Sequence, residues 1–203
     1  AMENAVTYVF LPALTDDALV GVYEFHRDTP PARVCDLSVD KDYVRDCINT
    51  IWLTAGAYPG ASRCWDAVYK AVTEFSAENQ MDESRIVIFL SDGRDESSTR
   101  TPKQIANQAV ARGVRVYGIG FGKELDLTAM HFTTAQTHGD FYAADAVADI
   151  PRVVRNIVSD LDGQYTLRWA TLKRGNASFK PRFYLTVGRL RAGYTSPVDY
   201  VPS

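Results

Sequence analysis

Cysteine is scarce in this 203-residue chain, and the three present lack any CxxC spacing. Neither a disulfide framework nor a zinc site is therefore expected, and Cys35, Cys47 and Cys64 read as small, partly buried residues. Histidine is as thin: His26, His131 and His138 have no HExxH-type pairing and read as solvated or locally satisfied side chains. No apolar run approaches the roughly 20 residues that span a bilayer, so no membrane insertion is expected. No basic start followed by an apolar stretch and a cleavage site is visible either, so no signal peptide is expected. The formal charge is only -3, and no block of Lys and Arg stands out, which argues against a nucleic-acid partner read through its phosphates. Internal repeats and low-complexity stretches are absent.

What remains is an ordinary globular composition, 46% hydrophobic and 23% charged, of a length that suits one packed domain with a modest appendage. Residues 3–14 read as a helix strained by Pro12. The near-continuous apolar runs Ala18–Phe25, Arg85–Leu90 and Val114–Ile119 read as strands covered on both faces. Arg33–Val39 and Phe141–Ala143 are shorter strands. Helical spacing follows Asp40 (Val44, Ile48, Ile51) and returns at 62–77 (Trp65, Val68, Val72, Phe75) and about 125–137. The last helix carries Ile150, Val153, Val154, Ile157 and Leu161. Thr101-Pro102 opens another helix with an N-cap and a first-position proline, and Gly113 closes it with an expected left-handed residue.

Buried strands alternating with helices imply parallel pairing through right-handed crossovers. The expected fold is α/β: a doubly wound, mostly parallel, Rossmann-like sheet flanked by helices over residues 1–163. Beyond Gly163 the pattern alternates. Gln164–Leu172 and Phe179–Val187 around Gly175-Asn176 predict a β-hairpin, so 164–203 is expected to form a C-terminal β extension ending in an irregular tail with Tyr194, Pro197 and Tyr200.

Ligands of an open parallel sheet sit beyond the C-terminal ends of its strands. The loop after Leu90 offers Asp92, Arg94, Asp95 and Glu96 there. The loop before helix 62–77 offers Ser62, backed by the free N–H groups of a helix N-terminus. A hydroxyl from one loop and a carboxylate from another suit a hard cation, although each also has a local use, Ser62 as N-cap and Asp92 in its own turn. Three weaker signals point elsewhere. Gly118–Gly122 lacks the GxGxxG spacing of a dinucleotide loop. Ser62, His138 and Asp92 lack the GxSxG elbow of a hydrolase. Asp92 as a phosphoacceptor, which would make the chain a phosphoryl-transfer enzyme, lacks a neighbouring upstream acid.

The run RIVIFLSDGRDESS (Arg85–Ser98) resembles the fourth strand and following loop of von Willebrand factor A domains. PGASRCWDAVYKAV (Pro59–Val72) is similar to that family's metal-site loop and helix, with Ser62 where a Thr is usual. VRVYGIGFG (Val114–Gly122) and GDFYAAD (Gly139–Asp145) match the fifth and sixth strands. QYTLRW (Gln164–Trp169) and Arg191-Ala192-Gly193-Tyr194 resemble the C-terminal extension of a bacterial subgroup. The first strand and its Asp-x-Ser-x-Ser metal motif are not matched, since the similarity begins at about Glu3. Asp36-Leu37-Ser38-Val39-Asp40 aligns with no ligand.

The resemblance implies a non-enzymatic, adhesion-type module that binds a protein or peptide through Ser62, Asp92, Arg94 and Asp95, with Arg63 and Lys123 at the rim. Its metal-ion-dependent adhesion site would be incomplete. Only Ser62 and Asp92 remain to hold Mg²⁺ or Ca²⁺, so no tightly bound metal or other cofactor is expected. The family suggests an extracytoplasmic setting. In the family's sheet the unmatched strand is central, between 18–25 and 85–90, so direct pairing of those two or insertion of the C-terminal hairpin is expected to fill its place; a strand exchanged with another copy is the third way. A structural role follows as the alternative function, with the open sheet or the hairpin mediating self-assembly into a homodimer.

Overall fold

The computed structural model describes residues 4, 6–25, 30–54, 62–77, 83–91, 95–121, 125–144, 147–162, 178–196 and 199–200. The chain divides into two compact units, Ala1–Gly163 and Gln164–Ser203.

The first unit opens with one wide helical turn, Val6–Phe10, that runs into Leu11–Ala13 (together α1). Then follow β1 (Val20–Glu24), β2 (Ala32–Ser38), α2 (Lys41–Thr54) and α3 (Cys64–Glu74). The order continues with β3 (Arg85–Ser91), α4 (Pro102–Ala111), β4 (Val114–Phe121), α5 (Leu127–Gln136), β5 (Phe141–Ala144) and α6 (Ile150–Asp162). Strands β3, β4 and β5 pair in parallel, in that order, from Arg85↔Val114 through Ser91↔Gly120 and from Gly118↔Phe141 to Phe121↔Ala144. This is the α/β fold expected, a parallel sheet with helices on both faces.

The two faces follow from the period of a strand. Val87 and Phe89 of β3 enter one core with Trp65, Val68 and Val72 of α3, Ile105 of α4 and Met130 of α5. Ile86, Ile88 and Leu90 turn to the other, with Tyr117, Ile119 and the inner face of α6. That face is Ile150, Val153, Val154 and Ile157, at i, i+3, i+4 and i+7, none more than 3% exposed. Each such side chain contributes about 1.5–3 kcal/mol by leaving water. Along β4 the positions facing the first core become glycines because aromatic rings fill the space. A Cβ on Gly118 would lie 2.6 Å from Phe89 Cζ, and one on Gly120 2.7 Å from Phe141 Cζ.

The local signals read for α4 hold. The Thr101 hydroxyl accepts from the Gln104 N–H while the Gln104 side chain accepts from the Thr101 N–H, Pro102 occupies the first turn, and Gly113 lies at φ 64. Arg85 is 4% exposed at the start of β3. Its guanidinium donates to the carbonyls of Ser76 (2.9 Å) and Arg112 (3.1 Å), tying the ends of α3 and α4 to the sheet.

Two expectations need correction. Cys35 and Cys47 are joined by a disulfide, with Cα atoms 5.7 Å apart. Their odd companion hid the pair in the sequence. Packing of α2 on β2 around Leu11, Val44 and Ile48 brings the two thiols together, and Cys64 is the buried free thiol. The second correction concerns the central place in the sheet. Strands β1 and β2 pair antiparallel with each other as a separate two-stranded sheet, so β1 does not close onto β3. Helices supply the connection instead. Glu74 of α3 accepts from Tyr23 Oη (2.6 Å) and Arg33 Nη1 (3.0 Å), and Lys70 Nζ donates to the Pro31 carbonyl at 2.9 Å. From α1, Val6 and Leu14 pack with β1 while Val9 and Phe10 pack with the α6 core.

The second unit contains an antiparallel hairpin, as expected, but with a different partner strand. Strand β6 (Arg182–Val187) pairs with β7 (Leu190–Thr195), register Arg182↔Thr195 to Val187↔Leu190. Among the described residues they form a two-stranded sheet of their own. The turn falls at Gly188-Arg189 because Gly188 adopts φ +60, the left-handed conformation that two-residue hairpin loops require. The stretch predicted as an irregular tail thus carries β7, and Phe179 and Tyr200 extend the pairing with N–H···O bonds of 3.0 and 2.9 Å. Gln164–Leu172, the other predicted strand, lies outside the described residues. Among the described residues no helix is long and apolar enough to cross a membrane.

Candidate functional site

The parallel register sets the C-terminal ends of β3 and β4 side by side, Ser91 opposite Gly120. Residues 95–96, beyond β3, meet Ser62 just before α3. Ser62 and Asp95 form an isolated parallel bridge, and the Glu96 N–H donates to the Ser62 carbonyl at 3.3 Å. Two residues predicted for the site from different loops are therefore brought together.

Two carboxylates hold the junction. Asp95 Oδ2 accepts from the Trp65 N–H at 2.8 Å, and Oδ1 accepts from the N–H groups of Ser97 (3.2 Å) and Ser98 (2.9 Å). One side chain thus caps α3 from another segment and closes its own turn, where the negative charge also suits the helix N-terminus. The N-cap position itself, Arg63, makes no side-chain cap bond, and the hydroxyl of Ser62 is not the cap. Asp66 reciprocates: its N–H donates to Ser98 Oγ (2.9 Å), and its Oδ1 accepts from the N–H groups of Thr99 and Arg100, both at 2.9 Å. Arg63 Nη2 pairs with Asp66 Oδ2 at 3.1 Å, and the Arg100 guanidinium stacks 4.3 Å from the centre of the Tyr69 ring. Hydrogen bonds to a charged group contribute roughly 1.5–3 kcal/mol each, so residues 95–100 are clasped to α3.

Beside the clasp lies a cavity of about 470 Å³ lined by Asp95, Leu125, Asp126, Leu127 and Thr128. Leu125 reaches the end of β4, since a Cβ on Gly120 would meet its Cδ1 at 2.8 Å. Asp126 caps α5, accepting from the Ala129 N–H at 3.0 Å. Cys64 sits in the first turn of α3, a place that ordinarily favours a thiolate. Here burial pushes the thiol well up, and the Asp95 charge adds to the rise. It is a packing residue, not a nucleophile.

Of the residues predicted from sequence, Ser62 and Asp95 meet, and Arg63 is turned onto Asp66 instead of standing at an open rim. Asp92, Arg94 and Lys123 lie outside the described residues. Asp66, Ser98 and the Leu125–Thr128 wall were not singled out as site residues. The signal for the last was Asp126 just before a helix; that for Asp66 was its i,i+3 spacing from Arg63. For a cation the described residues offer no fit. No group of three His, Cys, Asp or Glu is gathered among them, and both oxygens of Asp95 already accept backbone N–H bonds.

A family description, the von Willebrand factor type A domain, matches residues 8–166, and the chain belongs to that family. Modules of this kind typically serve adhesion or protein binding. Among solved structures, proximal thread matrix protein 1 from the mussel byssus is similar at 17% identity and a TM-score of 0.64, over 77% of this chain and 40% of that one. The conserved hypothetical protein BatB from Bacteroides thetaiotaomicron is similar at 14% identity and a TM-score of 0.62, over 80% and 87%. A von Willebrand factor type A protein from Catenulispora acidiphila gives 15% and 0.63, over 92% of this chain and 41% of its own. At such identities the likeness is one of fold, and the chain spans well under half of the mussel and Catenulispora chains. No curated protein sequence matches significantly.

Proposed function

We propose that the chain is a non-enzymatic binding module that holds a protein or peptide partner at the strand-end edge of β3 and β4. The observation that carries this reading is the cavity of about 470 Å³ beside the Ser62–Asp95 bridge. Its wall combines Leu125 and Leu127 with the polar Asp126 and Thr128, the mixture a peptide side chain and its backbone need. Asp95 on one side is held by its bonds to the Trp65, Ser97 and Ser98 N–H groups, and Asp126 on the other by its bond to the Ala129 N–H, which lowers the ordering cost of binding. Asp92, Arg94 and Lys123 remain proposed contacts on this edge, with Asp92 and Ser62 the only oxygens proposed for a weakly held Mg²⁺ or Ca²⁺.

Selection of a displayed random-peptide library on the whole chain tests the proposal. Selected peptides should lose at least about tenfold in affinity with Thr128→Arg, which fills an exposed part of the wall, while the melting temperature holds. Peptides that bind wild type and Thr128→Arg alike would place the interaction elsewhere and end this reading. Calorimetric titration with Mg²⁺ and Ca²⁺ separates the metal question. Millimolar or weaker binding fits the sparse donor set, and micromolar binding abolished by Asp92→Ala would restore a full metal site.

A further inference from the structure

The small net charge of the chain is the difference between two opposed units. Ala1–Gly163 holds 24 Asp and Glu against 15 Lys and Arg, a net charge of -9. Gln164–Ser203 holds seven Lys and Arg against one acid, Asp199, a net charge of +6. The cavity of about 470 Å³ beside the Ser62–Asp95 bridge therefore belongs to a strongly acidic unit. Its wall repeats that bias, with Asp95 and Asp126 but, among the described residues, no Lys or Arg. Neither aspartate makes an ion pair among the described residues.

Both carboxylates are held by backbone groups alone. Asp95 accepts from the N–H groups of Trp65 (2.8 Å), Ser97 (3.2 Å) and Ser98 (2.9 Å), and Asp126 from that of Ala129 at 3.0 Å. A carboxylate has room for about four such bonds. Asp95 uses three and Asp126 one, so acceptor capacity is left for donors that enter the cavity. An anion does not suit it, because the helix N-termini that would attract one are already occupied by these two aspartates. The rest of the wall is aliphatic: Leu125 is half-buried, and Leu127 is 47% exposed.

A lysine or arginine side chain matches both parts of this wall. Its apolar stem lies along leucine, its charged head meets carboxylate, and the exposed Thr128 hydroxyl offers a further acceptor. The head group brings its own N–H donors, so it does not need the fuller oxygen set that a metal ion takes.

We infer that the cavity receives a lysine or arginine side chain of the partner. The inference rests on the reading of this cavity as the partner site, and it adds the chemistry of what enters. The net negative charge of the unit steers a basic segment toward it, and Asp95 and Asp126 select the head group.

Peptides selected from a displayed random library on the whole chain are the probe. They carry Lys or Arg at one recurrent position. Replacing that residue with norleucine, which keeps a stem and drops the charge, weakens binding at least about tenfold. Asp126→Asn has the same effect. Asparagine caps a helix as well as aspartate does, so this variant keeps the wild-type melting temperature and loses only the charge. Affinity also falls as salt rises from about 0.05 M to about 0.5 M. Selected peptides with no basic position overturn the inference, and so does equal binding to wild type and Asp126→Asn. If those peptides still lose affinity for Thr128→Arg, the cavity stays the partner site and the cationic anchor alone fails. Peptides indifferent to Thr128→Arg as well end both readings. The chain's own cations are the competing occupant. With one of them seated in the cavity, Asp126→Asn would lower the melting temperature of the unliganded chain and no basic peptide would bind, a pair of results that also overturns the inference.

Discussion

In Ala1–Gly163 the aliphatic side chains Ile105 and Ile157 are at most 1% exposed, while in Gln164–Ser203 Leu185 is 63% exposed. The charges divide at the same boundary, -9 against +6. The first unit buries its apolar surface between helices and a sheet, and Asp95 serves it as a helix cap. Among its described residues the second shows one two-stranded sheet and no helix. Among the described residues one unit buries its aliphatic side chains and the other leaves Leu185 exposed.

The largest test of this contrast compares two glycines. A Cβ on Gly139 would lie 2.0 Å from the Val116 carbonyl oxygen, a backbone atom that cannot swing aside, whereas one on Gly193 comes nearest the Tyr184 ring, at 3.0 Å, with the Phe183 carbonyl oxygen at an ordinary 3.9 Å. Gly139→Ala is expected to cost about 3 kcal/mol or more, and Gly193→Ala less than about 1 kcal/mol. Urea denaturation followed by tryptophan fluorescence checks both, and equal losses would erase the distinction between the units.

Next comes cavity formation. Ile105→Ala should destabilise the first unit by about 2–5 kcal/mol, since Ile105 is 0% exposed. Leu185→Ala should change the stability of the isolated monomer by no more than about 0.5 kcal/mol. A loss above that for Leu185 would mean that its face is already covered within one chain.

Reduction of the Cys35–Cys47 bridge, with a sequence separation of 12, should lower the first unit's stability by about 2–3 kcal/mol. The hairpin should be untouched. Native thiol titration should meanwhile find Cys64 unreactive at neutral pH, because burial holds the thiol protonated.

The smallest effect is a pH dependence. Burial first, and the bond to Glu74 second, raise the Tyr23 phenol well above its ordinary 10.0. Its folded pKa exceeds its unfolded one, so the stabilisation is present below pH about 10 and is lost as pH rises toward the folded value. Tyr23→Phe should cost about 0.5–1.5 kcal/mol at neutral pH and flatten the alkaline decline. A decline as steep as that of wild type would assign the alkaline sensitivity to another group.

Much of the first unit was legible because local chemistry and hydrophobic period agree there. Arg85–Leu90 alternates between two cores as a strand covered on both faces must, and Thr101, Pro102, Gln104 and Gly113 are the capping residues α4 uses. The candidate site was legible only in part. Ser62 and Asp95 could be assigned to one edge from topology, but the Asp95 bond to the Trp65 N–H joins residues 30 positions apart. No local pattern announces such a bond. The charge division was readable in principle, since the pattern change after Gly163 already marked the boundary, yet a small whole-chain net charge hid it. The hairpin's strand β6 was legible, but its partner β7 lay in the stretch read as a tail, because alternation specifies strands and not partners.

The sequence by itself determined the alternation of buried strands with amphipathic helices, the caps, and hence the von Willebrand factor A fold, because each rests on near neighbours and periodicity. The tertiary structure alone decided the partnership of Cys35 with Cys47, the separation of β1 from β3, the choice of β7 as the partner of β6, and the use of Asp95 as a cap instead of an open carboxylate. Each of these depends on which distant segments meet. That is settled by packing over the whole unit and by the left-handed turn at Gly188, not by any one stretch of chain.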